Sequence, residues 1–179
     1  MVMGTGTASG ECMECWYAIY TRPRHEKKVN DLLLEKKQVV FLPLITQMRR
    51  WKDRKKKIEM PLFSSYLFVY FDYKYRFDIL QTSGIVKIIN FKGVPAVVPN
   101  WQIDALKKML EHPEKIMLEN YAHPGELVEV IDGPFKGMKG MVKSLRGESR
   151  LVLSIEGIMQ SVSVEIDMAS INRSPKPTD

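Results

Sequence analysis

Tyr66-Leu67-Phe68-Val69-Tyr70-Phe71 is the most apolar strand-like stretch of the chain. Both of its alternating sets are apolar, so neither face is suited to water, and it reads as the buried centre of a sheet. Upstream, Trp16-Tyr17-Ala18-Ile19-Tyr20-Thr21 is a second aromatic, β-branched strand that Pro23 ends. Between the two, Val29, Leu32, Leu33 and Lys36 fall at helical spacing and predict a helix over Arg24–Lys37. Val39–Ile45 reads as another strand, with Pro43 implying an edge or a bulge.

A run of charge interrupts this pattern. Arg49-Arg50-Trp51-Lys52-Asp53-Arg54-Lys55-Lys56-Lys57 holds seven basic residues and one acidic one. Strands on either side of it, the second being Ile58–Phe63, predict a protruding hairpin with a solvated tip. Downstream of the central strand come a short helix over Tyr75–Thr82 ended by Gly84, a strand over Ile85–Ile89, and Ala96-Val97-Val98 between Pro95 and Pro99. A last helix starts near Asn100, a capping residue type, and runs through Ile103, Leu106, Lys107 and Leu110. The order is an α+β sandwich with helices covering an antiparallel sheet.

The chain then changes style. Residues 113–124 are polar, punctuated by prolines, and read as a linker. From Gly125 onward short alternating strands and glycine turns follow: Gly125–Val130, a turn at Asp132-Gly133-Pro134, Leu151–Ile155, a tight turn at Glu156-Gly157, and Ile158–Ile166. Such a pattern in about 50 residues predicts a small closed β-barrel, because closure hides strand edges. The division is a tail over 1–14, an α+β domain over 15–112, the linker over 113–124 and a barrel over 125–175.

Charge separates the two parts. The net formal charge is +6, which equals that of the basic run alone. Residues 15–118 carry 20 Lys/Arg against 10 Asp/Glu, and residues 125–175 carry 6 against 7. The first part suits a polyanion such as nucleic acid; the second suits a protein partner. No apolar run approaches the roughly 20 residues of a membrane span. Met1–Gly10 has neither the basic start nor the apolar core of a signal peptide, which points to the cytoplasm. Cys12 and Cys15 make one C-x-x-C pair in the tail with no second pair to complete a zinc site, so inert thiols are expected and no metal or other cofactor. The three histidines lie outside any Cys–His or Ser–His–Asp pattern and there is no phosphate-binding glycine loop, so no enzyme is expected.

Gly125-Glu126-Leu127-Val128-Glu129-Val130-Ile131-Asp132-Gly133-Pro134-Phe135-Lys136-Gly137-Met138-Lys139-Gly140 resembles the KOW motif. Its glycines have physical work: Gly133 and Gly137 permit left-handed turns, and Gly140 lets strands pass closely. Trp16–Tyr20, Pro61–Val69, Gly84-Ile85-Val86 and Pro95–Pro99, in that order, resemble the NusG N-terminal (NGN) domain. The chain therefore looks like a member of the NusG superfamily from Trp16 to Arg173. Where general NusG proteins carry a Ser-Gly-x-Glu stretch, this chain reads Thr21-Arg22-Pro23-Arg24-His25-Glu26-Lys27-Lys28, more like the specialised RfaH and UpxY-type antiterminators. The RfaH His-Thr-Thr contact has no match near Arg76-Phe77-Asp78.

The resemblance implies a monomer that binds the clamp helices of RNA polymerase and aids processive transcription of particular operons, such as those for capsular polysaccharide. Trp16, Tyr20, Phe63, Tyr66 and Phe68 would form the polymerase pocket, with core packing as the competing reading. Arg49, Arg50, Lys52 and Arg54 would meet the phosphates of upstream or non-template DNA, against the reading of a solvated face. Arg22, Arg24, His25 and Lys28 would contact the non-template strand, against an unpaired helix N-terminal face. Phe135 and Ile158, near turns, would be exposed anchors for a ribosomal or termination-factor partner, or else barrel core. A housekeeping NusG elongation factor and a KOW-containing RNA- or ribosome-binding protein are the alternatives.

Overall fold

A computed structural model describes residues 14–51, 54–119, 127–145 and 148–173. The first part contains β1 (Glu14–Thr21), α1 (Glu26–Glu35), β2 (Val39–Phe41), β3 (Leu44–Trp51), β4 (Arg54–Pro61) and β5 (Tyr66–Asp72). It continues through α2 (Arg76–Leu80), β6 (Ile85–Ile88), β7 (Asn90–Phe91), β8 (Val94–Pro95), β9 (Val97–Val98) and α3 (Asn100–Leu110). β1 and β5 lie at the heart of an antiparallel sheet ordered β2-β5-β1-β6, with β9 also pairing to β1. This is the α+β arrangement expected, and Tyr66–Phe71 is interior as its continuous apolarity requires.

Strand alternation sends successive residues to opposite faces, and each face builds its own core. Tyr17, Ile19, Leu67, Val69 and Phe71 pack with Val29 and Leu33 of α1 and Ile79 of α2. Trp16, Ala18 and Phe68 pack with Ile103, Ala105, Leu106 and Met109 of α3. The helices form where the apolar spacing is helical, α1 burying Val29 and Leu33 and α3 burying its Ile103–Met109 stripe.

Among the described residues the second part is one antiparallel sheet of six strands. It comprises β10 (Ile116–Glu119), β11 (Leu127–Val130), β12 (Lys139–Leu145), β13 (Glu148–Ile155), β14 (Gln160–Glu165) and β15 (Ile171–Arg173). Their order is β10-β14-β13-β12-β11-β15. Val128, Val130, Leu151, Leu153, Ile155, Val162 and Val164 are buried on it. The turn glycines behave as their positions require: Gly133 and Gly137 have φ of 81° and 83°. A Cβ on Gly140 would stand 2.7 Å from the Val152 carbonyl oxygen, so β12 approaches β13 too closely for a side chain there.

Several sequence expectations need correction. Val39–Ile45 is not one strand: Leu42 and Pro43 separate β2 from β3, because Pro43 is buried and its carbonyl accepts from the Leu62 N–H at 2.8 Å. Asn100 is the first helical residue and Pro99 the N-cap, with no side-chain cap bond. Cys15 belongs to β1, opposite Phe71, rather than to a tail. The stretch 113–119 is not free linker: Pro113–Lys115 is a 3-10 turn and Ile116–Glu119 is β10, paired with β14. The expected tail over 1–14 lies, but for Glu14, outside the described residues.

Candidate functional site

Register places the aromatic residues of β1 and β5 side by side. Tyr20 stands opposite Tyr66, Ala18 opposite Phe68, and Trp16 opposite Tyr70; Phe41 of β2 stands opposite Phe68. The rings contact in offset and edge-on geometries that suit their quadrupoles. Centroids lie 5.3 Å apart for Tyr20–Tyr66, 5.4 Å for Trp16–Tyr70 and 6.1 Å for Phe41–Phe68. Helix α3 covers this face incompletely. Phe63 and Phe68 are fully buried and Trp16 is 9% exposed, while Tyr20, Phe41, Tyr66 and Tyr70 remain half-buried at its margin. The five residues Trp16, Tyr20, Phe63, Tyr66 and Phe68 thus come together on one face, but only Tyr20 and Tyr66 offer it appreciable surface. Burial, and then the neighbouring Tyr20, push the Tyr66 phenol above its usual range. Lys107 of α3 sets its ammonium 5.7 Å from the Trp16 ring centre and 5.8 Å from that of Phe41, capping the far end of the stripe.

Phe63 is an expected surface anchor that the structure turns inward. It packs edge-on against Phe68 at 6.2 Å, because the turn from Phe63 to Tyr66 folds it under the sheet. That turn is held by a residue that composition gave no reason to notice. Ser65 adopts a left-handed backbone with φ of 67°, and its N–H donates to the buried Glu26 carboxylate at 2.6 Å. The Ser65 carbonyl accepts from the Thr21 N–H at 2.9 Å. The first turn of α1 thereby fixes the loop that presents Tyr66. The available sequence signal is a lone acid in a strongly basic segment.

Two basic groups flank this face. Arg22, Arg24 and Lys28 are exposed, Arg24 with a left-handed backbone at φ of 63°. His25 is half-buried at the start of α1, its Nδ1 3.1 Å from the Pro23 carbonyl. Gly84 closes on this loop so tightly that a Cβ would meet Val29 Cγ2 at 2.8 Å and His25 Cβ at 3.3 Å. The second group is the β3–β4 hairpin, whose register sets Arg49 opposite Lys56, Arg50 opposite Lys55, and Trp51 opposite Arg54. Like charges directly opposite one another destabilise a strand pair. Lys52 lies outside the described residues. A surface ion pair of 3.6 Å between Lys27 of α1 and Glu59 of β4 brings the base of the hairpin beside the Arg22–Lys28 loop.

In the second sheet, Phe135 and Ile158 are buried rather than exposed, 2% and 5% accessible. Phe135 is drawn in because the turn after Gly133 folds it under Val130 and against the edge of the His112 ring at 5.5 Å. Ile158 ends a 3-10 turn and joins the same core. Among the described residues the large apolar side chains left exposed near the turns are Ile131, Met159 and Met168. The two parts also touch: Gln102 Nε2 of α3 donates to the Ser154 carbonyl at 3.2 Å, and Lys108 Nζ donates to the Lys136 carbonyl. A cleft of about 590 Å³ opens at this seam beside Trp101, Ala105, Lys108 and Met138.

Among the described residues no group of three His, Cys, Asp or Glu side chains is placed to hold a metal ion. Cys15 is a free, half-buried thiol, and among the described residues no helix is long and apolar enough to cross a membrane.

Comparison with known proteins gives this geometry a lineage. A family model described as "Transcription termination factor nusG" matches residues 14–107, more than half the chain, and one described as "KOW motif" matches residues 124–145. The Transcription termination/antitermination protein NusG of Rickettsia prowazekii is 24% identical over 182 residues, covering 93% of this chain and 94% of that protein. Its counterpart in Pseudomonas aeruginosa is 24% identical over 177 residues, covering 88% and 97%. That of Yersinia pestis is 32% identical over 81 residues, covering 44% and 45%. A solved structure described as "Domain interaction in Thermotoga maritima NusG" is 20% identical, covers 91% of this chain and 98% of that one, and has a TM-score of 0.49. The chain belongs to the NusG family, with an NGN domain followed by a KOW domain.

Proposed function

We propose that this protein is a transcription elongation and antitermination factor that docks on RNA polymerase through the margin of its aromatic sheet face. The observation that carries the reading is the Tyr20–Tyr66 pair, half-buried over a floor of Trp16, Phe63 and Phe68. Tyrosines on a rigid floor bury large area while losing few rotamers, which makes them good interface anchors. The clamp helices of the polymerase are the partner that the family suggests. The protein makes and breaks no bond in this reading. It acts by binding the elongating conformation more tightly than the paused one.

The basic hairpin supports a DNA contact. Its like-charge register weakens the free hairpin, and a phosphate backbone alongside would relieve the repulsion while releasing counterions. Arg22, Arg24, His25 and Lys28, next to the base of that hairpin, would extend the contact to the exposed non-template strand. This basic loop favours a specialised antiterminator of the RfaH or UpxY type, recruited to particular operons such as those for capsular polysaccharide. The KOW sheet would bring a second partner, the ribosome or a termination factor. With Phe135 and Ile158 turned inward, that contact falls to the exposed Met159, Met168 and Ile131.

Single-round transcription with the cognate polymerase tests this reading. The templates carry a pause and a terminator, with and without the leader of a candidate operon. Read-through and shorter pausing on the leader template alone is the expected result. The same effect on both templates would replace the specialised factor by a general one, and no effect on either, without polymerase binding, would overturn the proposal.

A further inference from the structure

The segment that joins the two domains is built into the second one. Helix α3 ends at Leu110, and five residues later Ile116 begins β10, which lies on β14 in the register Ile116 to Val164, Met117 to Ser163, Leu118 to Val162 and Glu119 to Ser161. Its start is pinned from within the sheet. Arg150, itself buried, donates from Nη2 to the Lys115 carbonyl at 2.8 Å and to the Ser163 carbonyl at 3.3 Å, and from Nε to Ser163 Oγ at 2.9 Å. Elsewhere β10 is lightly held: it is four residues long, at the edge of the sheet, and Met117 and Leu118 are 44% and 50% exposed. By contrast β14 beneath it is buried from Ser161 to Val164.

We propose that β10 is a releasable clasp that sets the length of the tether between the domains and thereby keeps the KOW sheet against α3. While β10 is paired, only residues 111–115 separate α3 from the sheet, a span of at most about 17 Å. Once it peels away, the tether takes in residues 111–119, whose reach is about 31 Å. The short tether holds the contacts of Gln102 with Ser154 and of Lys108 with Lys136 at high effective concentration. The long one lets the KOW sheet leave α3 and meet a partner well away from the NGN domain. Edge strands of few residues belong to the low-stability end of a fold, so release costs far less than unfolding β13 or β14. The device does not depend on which partners the domains bind.

A Met117→Pro, Leu118→Pro double variant of the full chain tests the clasp. Neighbouring residues of an antiparallel edge alternate between those that bond across and those that do not, so one of these two prolines removes a ladder N–H. Small-angle scattering of the wild type is expected near the radius of gyration of one compact body, about 16 Å for a chain of this length. The variant is expected several ångström larger, with its KOW amide resonances retained. A variant with intact KOW resonances and wild-type compactness overturns the proposal. Hydrogen exchange on the unaltered protein gives an independent reading. The amides of Ile116–Glu119 are expected to exchange at least tenfold faster than those of Leu151–Leu153. Equal protection of the two strands would mean that β10 opens only with the whole sheet, and would overturn the proposal as well.

Discussion

The two faces of the NGN sheet are cut from the same strands, yet they are finished differently. One carries Tyr17, Ile19, Leu67, Val69 and Phe71, sealed beneath Val29, Leu33 and Ile79. The other carries Trp16, Tyr20, Tyr66, Phe68 and Tyr70, and α3 leaves its tyrosines half-exposed. The sealed face closes its rings, Tyr17 and Phe71, among close-packed aliphatic side chains. The proposed docking face presents rings at its margin, which can bury area in more than one partner arrangement and keep a polar tip for water. Adjacent residues such as Tyr66 and Leu67 therefore lie on opposite faces, and under the proposed docking mode substituting them should separate stability from binding.

The largest effect is expected on the sealed face. Leu67 is fully buried, so Leu67→Ala should cost about 2–5 kcal/mol of stability through lost transfer energy and the cavity left behind. Denaturant unfolding measures that loss, and the fraction still folded should bind polymerase as before. On the other face the order reverses. A Tyr20→Ala, Tyr66→Ala double variant should lose polymerase affinity by roughly 10- to 100-fold, the scale of anchor residues, while losing less stability than Leu67→Ala. Wild-type affinity in a folded double variant would remove the aromatic face as the docking site.

How much of this was legible in the sequence follows from which interactions are local. The buried strand Tyr66–Phe71, the helices, the hairpin and the turn glycines at 133 and 137 are written in periodicity and backbone chemistry, which a single chain segment displays. The gathering of Trp16, Tyr20, Phe63, Tyr66 and Phe68 on one face followed from alternation together with a family resemblance. Accessibility was not legible. Phe63, Phe135 and Ile158 sit near turns, where exposure is a reasonable guess, but turns that fold back bury them, and that depends on contacts with Phe68, His112 and the KOW core. Nor was β10 legible: four residues after a proline look like linker until β14 lies beside them.

Glu26 is where the two faces are tied together, since a residue of the helix over the sealed face holds the loop that presents Tyr66. Glu26→Gln keeps the size but weakens a charge-assisted acceptor, and Glu26→Ala leaves the Ser65 N–H buried and unpaired. The alanine variant should cost about 1–3 kcal/mol and the glutamine variant less. Polymerase affinity should fall in the same order, because Tyr66 loses its fixed position before it loses any contact of its own. Unfolding curves paired with affinities check this. A stability loss in Glu26→Ala with unchanged affinity would show that the Ser65 turn does not position the docking face.

The smallest effect compares one tyrosine from each face. Burial is the leading cause that raises the Tyr17 phenol from its ordinary 10.0, followed by Cys15 and Asp72; burial and then Tyr20 raise that of Tyr66. In each case the folded chain holds the proton more tightly than the unfolded chain does. The associated stability is therefore fully present below about pH 10 and is lost as pH rises through the folded value. Tyr17→Phe and Tyr66→Phe should each flatten the alkaline fall in melting temperature. They should part company when polymerase is bound. A partner seated on the aromatic face desolvates Tyr66 further and raises its titration again, while Tyr17, already sealed by its own side of the sheet, keeps the value it had. Phenolate difference spectra of the two phenylalanine variants, free and in complex, measure this directly. Movement of the Tyr17 titration with no movement of Tyr66 would assign the docking surface to the other face.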